Sequence, residues 1–221
     1  MTKHWKQVWA LGVLVFGLTT VSCTGGNEAD KPTNTKPAKR MATAESASDP
    51  AQEAPQVGET APNFELRGHD GKTYQLSEFR GQPVVLEWFN NECPYVEKHY
   101  GTQNMQKLQE NYTEKGVVWL TIASSAPGKQ GHLNAEKAKA VRAERGAKQT
   151  AILLDESGKV GQLYQAKTTP HMFVINKQGT LVYQGAIDDN DSYDKDTVDG
   201  AKNYVVAALE KLLENPEAEK L

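Results

Sequence analysis

The chain has 221 residues, 38% of them apolar and 24% charged, enough for one substantial core with polar appendages. Its 25 Lys and Arg against 28 Asp and Glu leave a formal net charge of −3, and no basic block stands out, so nothing electrostatic recommends a nucleic-acid partner. Two cysteines, Cys23 and Cys93, build neither a disulfide framework nor a cysteine-based zinc site, and the five histidines never fall at a metal-ligand spacing; no metal and no cofactor are expected.

Residues 1–22 carry the marks of a signal peptide: Lys3 and Lys6, then an uninterrupted apolar run over residues 8–18. As a helix that run spans about 16 Å, roughly half of a bilayer's hydrocarbon core, which suits a signal-peptide core and not a membrane span. Thr20-Val21-Ser22-Cys23 resembles the bacterial lipobox, so Cys23 is expected to carry a lipid after cleavage; the other reading is an ordinary secretory signal with an incidental cysteine. On either reading the mature chain leaves the cytoplasm. On the first it is a lipoprotein of the cell envelope, facing the periplasm or the exterior and touching the membrane through its lipid alone. Residues 23–56 then comprise the lipid-bearing cysteine and a linker of Pro, Ala, Thr, Ser and charge, expected to be disordered because Met41 is its only large apolar residue.

A folded domain is expected over residues 57–215, with 216–221 as a tail. Segments 63–66 and 72–76 flank His69-Asp70-Gly71 and predict a hairpin. Residues 83–89, PVVLEWF, predict a buried strand running into Asn90-Asn91-Glu92-Cys93-Pro94, where Pro94 suits the first position of a helix. That helix breaks near Gly101 and resumes over 104–115. Residues 117–123, VVWLTIA, predict a second buried strand, 124–133 a loop, 135–145 a polar, alanine-rich helix, 150–154 a third strand and 159–165 a short helix. A strand pair, 171–176 and 180–184, turns at Lys177-Gln178-Gly179. An amphipathic helix over 198–213 closes the domain, with Val205, Ala208, Leu209 and Leu212 on one stripe. This order predicts an α/β fold, a mixed central sheet flanked by helices with an N-terminal β-hairpin.

Three features point to chemistry at one end of that sheet. Cys93 falls where a strand gives way to a helix, and the free N–H groups of a helix start favour a thiolate; the plainer reading is a buried core cysteine. Thr168-Thr169-Pro170 directly precedes a strand, where a cis proline makes a tight turn. Glu87 interrupts an apolar strand, either as a proton-transfer group or as a satisfied structural carboxylate. His171 follows Pro170 and points either toward Cys93 or away from it, His99 reads as a surface residue of the helix after Cys93, and Trp88 and Phe89 read as core and rim aromatics. The acidic stretch 188–199 lacks the EF-hand spacing and reads as a solvated turn.

Residues 57–214 resemble the thioredoxin-like redoxins, both the membrane-tethered cytochrome-maturation type and the alkyl hydroperoxide reductase/thiol-specific antioxidant branch. The motifs VGETAPNFEL, DGKTYQLSEFRGQPVVLEWFNNECPYV and TTPHMFVINKQGTLVYQGAID carry the resemblance. It implies a thioredoxin-like fold in which Cys93 matches the attacking cysteine, Thr169 and Pro170 match the cis-proline pair that binds the substrate chain, and Glu87 matches the buried acid. Tyr95, inside C-P-Y-V, is expected to shape the mouth of the site. Val96 stands at the place of the second, resolving cysteine, and Leu86 and Asn90 stand where the peroxidase motif has proline and threonine.

A lone Cys93 cannot resolve its own mixed disulfide, so an outside thiol must recycle it. The expected function is an envelope thiol-disulfide oxidoreductase or slow thiol peroxidase-like antioxidant. Its partners are expected to be protein or small-molecule thiols and disulfides and an external thiol reductant. The alternative is a non-catalytic module that holds extended peptides on the thioredoxin platform.

Overall fold

A computed structural model describes residues 54–218. The signal segment, Cys23 and residues 24–53 of the linker lie outside the described residues, as do residues 219–221 of the tail. The centre of the domain is a seven-stranded sheet. Three parallel strands form its middle: β3 (Val84–Trp88), β4 (Val118–Ala123) and β5 (Ala151–Leu154). The apolar runs have the composition of strands covered on both faces, and every residue of β3 and β4 is buried. Beside β3 lie β6 (His171–Ile175) and β7 (Leu181–Gly185), both antiparallel to their neighbour. Beyond β5 the expected hairpin, β1 (Glu65–Gly68) and β2 (Thr73–Gln75), completes the order β2-β1-β5-β4-β3-β6-β7.

Strand alternation sorts the core into two layers. Val85, Trp119, Ile152, Met172 and Val174 pack with Val96, Met105, Leu108, Val141, Val205 and Leu209 from α1 (Pro94–Gly101), α2 (Asn104–Glu114), α3 (Ala135–Glu144) and α5 (Tyr204–Glu214). Val84, Leu86, Trp88, Leu120, Ile122 and Phe173 pack on the other side with Phe64, Val160 of α4 (Lys159–Leu163) and Tyr164. Each fully buried Leu, Ile or Phe contributes about 1.5–3 kcal/mol. The same alternation puts Glu87, between Val85 and Phe89, into the α1/α2 layer.

The closing helix begins at Tyr204, six residues later than the apolar pattern predicts. Asn203 caps it by accepting the Val206 N–H, while Lys202 N–H donates to Asp189 Oδ1 and Asn203 bridges to Asp188, so residues before Asn203 are committed to a loop. Among the described residues no helix is long and apolar enough to cross a membrane.

Candidate active site

β3 delivers the chain to Asn90, which turns it. Asn90 Oδ1 accepts the Glu92 N–H (2.9 Å) and its carbonyl accepts the Cys93 N–H (3.1 Å), an Asx-type turn. Gly131 lies so close that a Cβ there would stand 2.4 Å from Asn90 Oδ1. Cys93 is then the N-cap of α1, with extended backbone (φ −81, ψ 128) and Pro94 in the first turn, and its carbonyl accepts the Glu97 N–H at 2.9 Å. The thiol is half-buried and donates to the Thr169 carbonyl at 3.1 Å. Thr169–Pro170 is a cis peptide. Two stretches 76 residues apart in sequence thus meet at the sulfur, as the helix-start and Thr-Thr-Pro signals imply.

A third element fixes this junction. Arg145, at the end of α3, donates from Nε to Asn91 Oδ1 (2.7 Å), from one terminal nitrogen to the Asn91 carbonyl (2.9 Å) and from the other to Glu97 Oε2 (3.0 Å). Its guanidinium carbon stands 5.3 Å from the Tyr100 ring centroid. One planar fork therefore clamps both the loop before Cys93 and the helix after it. Glu97 also receives Lys195 Nζ at 2.7 Å, and Lys195 first, then Arg145, hold its carboxyl below the ordinary carboxylate range. No local motif marks Arg145, because every group its guanidinium meets is at least 45 residues away.

Glu87 is wholly buried. Its Oε1 accepts Tyr100 OH (2.8 Å), and its Oε2 accepts Trp119 Nε1 (2.8 Å), Thr121 Oγ1 (3.0 Å) and Gln109 Nε2 (3.2 Å). Burial pushes its pKa up, and the four donors, Trp119 foremost, pull against that. Burial, then the Glu87 charge, raises the Tyr100 phenol well above its usual range. Both carboxyl oxygens are engaged, and no hydrogen bond among the described residues joins Glu87 to Cys93. Val96, one turn past Cys93, is completely buried in the same layer.

Beside Thr169–Pro170 opens a cleft of about 500 Å³ walled by Tyr95, Tyr204 and residues 186–191. Tyr95 and Tyr193 are the exposed large apolar side chains of the described region and meet edge to face at 6.1 Å. The floor corrects two sequence expectations. His99 is not on the surface but buried, its Nδ1 2.9 Å from the Asn104 amide nitrogen and its Nε2 3.8 Å from Asp188 Oδ2. Burial, reinforced by Lys98, lowers its pKa to about 4, so at neutral pH the 3.8 Å approach is not an ion pair. Nor is the acidic stretch wholly solvated: Asp188 is buried and pairs with the buried Lys98 ammonium at 3.5 Å, which also donates to the Asn190 carbonyl at 3.3 Å. Lys98 carried no sequence signal.

His171 turns from the sulfur. Its ring packs 4.5 Å from that of Phe173, its Nδ1 accepts the Lys167 N–H at 3.4 Å, and burial lowers its pKa. Its cross-strand partner is Trp88, which belongs to the layer opposite Glu87. Among the described residues no group of three or more His, Cys, Asp or Glu side chains is placed to hold a metal ion.

The model of the AhpC/TSA family matches residues 57–184. Thiol-disulfide oxidoreductase ResA of Geobacillus thermodenitrificans (strain NG80-2) is 31% identical over 125 residues, 57% of this chain and 66% of that protein. ResA of Geobacillus kaustophilus (strain HTA426) matches with the same identity and coverage, so the chain spans slightly under two thirds of the length of these relatives. An uncharacterized conserved protein from Geobacillus kaustophilus has a solved structure that is 28% identical with a TM-score of 0.63, covering 75% of this chain and 87% of that one. A Chlorobium tepidum structure provisionally assigned as the thiol:disulfide interchange protein DsbE is 22% identical with a TM-score of 0.53, covering 73% of this chain and 97% of that one, a likeness of fold. The fold is thioredoxin-like.

Proposed function

The chain belongs to the AhpC/TSA family, and on that footing we propose that it is a thiol redox protein of the cell envelope working through a single cysteine, Cys93. The observation that carries this reading is the half-open Cys93 sulfur at the N-terminus of α1, 3.1 Å from the carbonyl of the cis Thr169–Pro170 pair. The deprotonated sulfur attacks one sulfur of a partner disulfide; that bond breaks, the second sulfur leaves as a thiolate, and a mixed disulfide forms on Cys93. Position 96 holds a buried valine, so release waits for an external thiolate, which attacks the partner-side or Cys93-side sulfur and returns one thiolate for each bond broken. With peroxide, the thiolate attacks one oxygen, the O–O bond breaks, the other oxygen leaves as hydroxide or alkoxide, and Cys93 becomes a sulfenic acid. Two external thiols then reduce it through a mixed disulfide with loss of water. Asn90 offers no hydroxyl where the peroxidase motif has threonine, which makes the peroxide route the slower one.

Thr169 and Pro170 serve as the edge along which a partner chain lies, and Tyr95 forms the lip of the adjoining cleft. Glu87 acts as a positioning group: through Tyr100 and Gln109 it ties α1 and α2 to β4, and proton transfer falls to it only when a thiol stands at position 96. Lys3 and Lys6, the apolar run 8–18 and Ser22-Cys23 support export and lipid attachment at Cys23. The test is turnover of insulin disulfides and of peroxide by the full chain carrying Cys23→Ser, with and without added dithiol, compared with its Cys93→Ser derivative. Dithiol-dependent turnover that vanishes with Cys93→Ser supports the reading. Turnover surviving Cys93→Ser, or an inert Cys93 in a folded chain, sinks it, and the second result favours a peptide-holding module.

A further inference from the structure

The hairpin turn after β1 and the C-terminal half of α3 enclose a shallow cleft of about 500 Å³. His69, Lys139, Arg142 and Lys148 line it, and no carboxylate does. Basic patches are ordinarily solvated surface, and two details set this one apart. His69 is only 6% exposed; its Nδ1 accepts the Ile152 N–H at 3.2 Å, which leaves Nε2–H as the donor, and no described residue accepts from it. Arg142 gives the fold one bond, to the Gln149 carbonyl at 3.0 Å, while its Nε is sealed from the surface without an acceptor. The fold bears the cost of an orphaned donor for little internal return.

The neighbouring carboxylates quench this field only in part. Among the described residues neither Lys139 nor Arg142 has a carboxylate within ion-pair distance, whereas Lys148 has Glu110 at 3.7 Å across an exposed gap. Asp70, next to His69, spends its carboxylate on Tyr74 OH (3.0 Å) and the Lys72 N–H (3.1 Å). Burial and then Arg142 disfavour protonation of His69, and Lys139 adds to that side, while the Asp70 charge and the Ile152 hydrogen bond oppose it. Neutral His69 thus contributes a fixed N–H donor amid cations.

We propose that this cleft is an oxyanion site for inorganic phosphate or a phosphate monoester, held by the outer N–H groups of Arg142, the Lys139 ammonium and His69 Nε2–H. A planar fork, a point charge and a neutral donor suit the three-sided acceptor geometry of such an anion. The inference does not depend on the thiol chemistry proposed above. It is tested by titrating the full chain with inorganic phosphate at constant ionic strength while following the His69 ring nitrogens by NMR. The expected result is a saturable shift of Nε2, with affinity falling at least about tenfold in Lys139→Gln and in Arg142→Gln and unchanged in Lys137→Gln. Lys137 lies on the same helix outside the cleft, and Lys139 is exposed, so its variant keeps the test meaningful should Arg142→Gln unfold. No saturable shift, or equal weakening by Lys137→Gln and Lys139→Gln, overturns the site. Tighter binding of glycerophosphoglycerol, a soluble phosphodiester, than of phosphate overturns the free-anion assignment in favour of a lipid headgroup.

Discussion

Glu87 and Cys93 sit on one strand-to-helix passage, and the fold surrounds them in opposite ways. Glu87 is walled in and receives four side-chain donors from α1, α2 and β4. Cys93 is half-open and makes one side-chain bond, to a backbone carbonyl across the site. The closed region spends polar groups on holding two helices against the sheet; the open one leaves a thiol accessible. On the reading proposed above, the difference makes the buried acid a brace and leaves the chemistry to the cysteine. The acid braces the far end of the helix that the cysteine caps, through Tyr100.

The largest effect that would break this contrast is expected from Glu87→Ala. It strands the donors of Trp119, Tyr100, Thr121 and Gln109, and urea unfolding should show a loss of about 3–4 kcal/mol. A loss below about 1 kcal/mol would show that the network is not what holds α1 and α2. The sign with pH is defined. Because burial raises the Glu87 pKa in the fold, its contribution is whole below the ordinary value of 4.5 and is lost as pH rises through the raised value. Glu87→Gln should flatten that part of the pH–stability curve.

Arg145→Ala comes next, since it releases Asn91 and Glu97 together. We expect a loss of about 2 kcal/mol and alkylation of Cys93 slowed several-fold per folded molecule, with Arg145→Lys restoring little because it lacks the fork. An unchanged alkylation rate would confine the clamp to stability. His99 sharpens the comparison from the cleft side. Its pKa, lowered from 6.5 to about 4 chiefly by burial, means that its contribution is present above pH 6.5 and is lost as pH falls toward 4, roughly 3 kcal/mol in all. Urea midpoints from pH 7 to pH 4 should fall less steeply in His99→Gln; parallel slopes would remove His99 from that role. The smallest stability change, about 1 kcal/mol, is expected from Val96→Cys. This variant brings a second thiol within one helical turn, and it should form an internal disulfide and release a bound partner thiol. Mass spectrometry that finds the partner still attached would show that the buried position cannot be reached by the sulfur.

Much of this was legible from short-range signals. The apolar runs at β3 and β4, the Pro after Cys93 and the Thr-Thr-Pro stretch each state a local requirement, and local requirements survive folding. Glu87 was legible as an anomaly in an apolar strand, although its four partners were not. Arg145, Lys98 and the burial of His99 and Asp188 were hidden because each depends on side chains far away in sequence. Asp188 reads as one more acid in an acidic loop until the fold brings Lys98 beneath it at 3.5 Å. The start of α5 differs from the sequence expectation for a related reason: the apolar stripe extends toward residue 198, but Asn203 and Asp189 capture the backbone first.

The central claim, a single sulfur that reacts and then waits, is tested most directly by intact-mass spectrometry of the full chain carrying Cys23→Ser after exposure to oxidised glutathione. The account predicts one glutathione per folded chain, located on Cys93, persisting until a dithiol is added and absent from the Cys93→Ser derivative. A folded chain that stays unmodified, or one modified equally without Cys93, would contradict it.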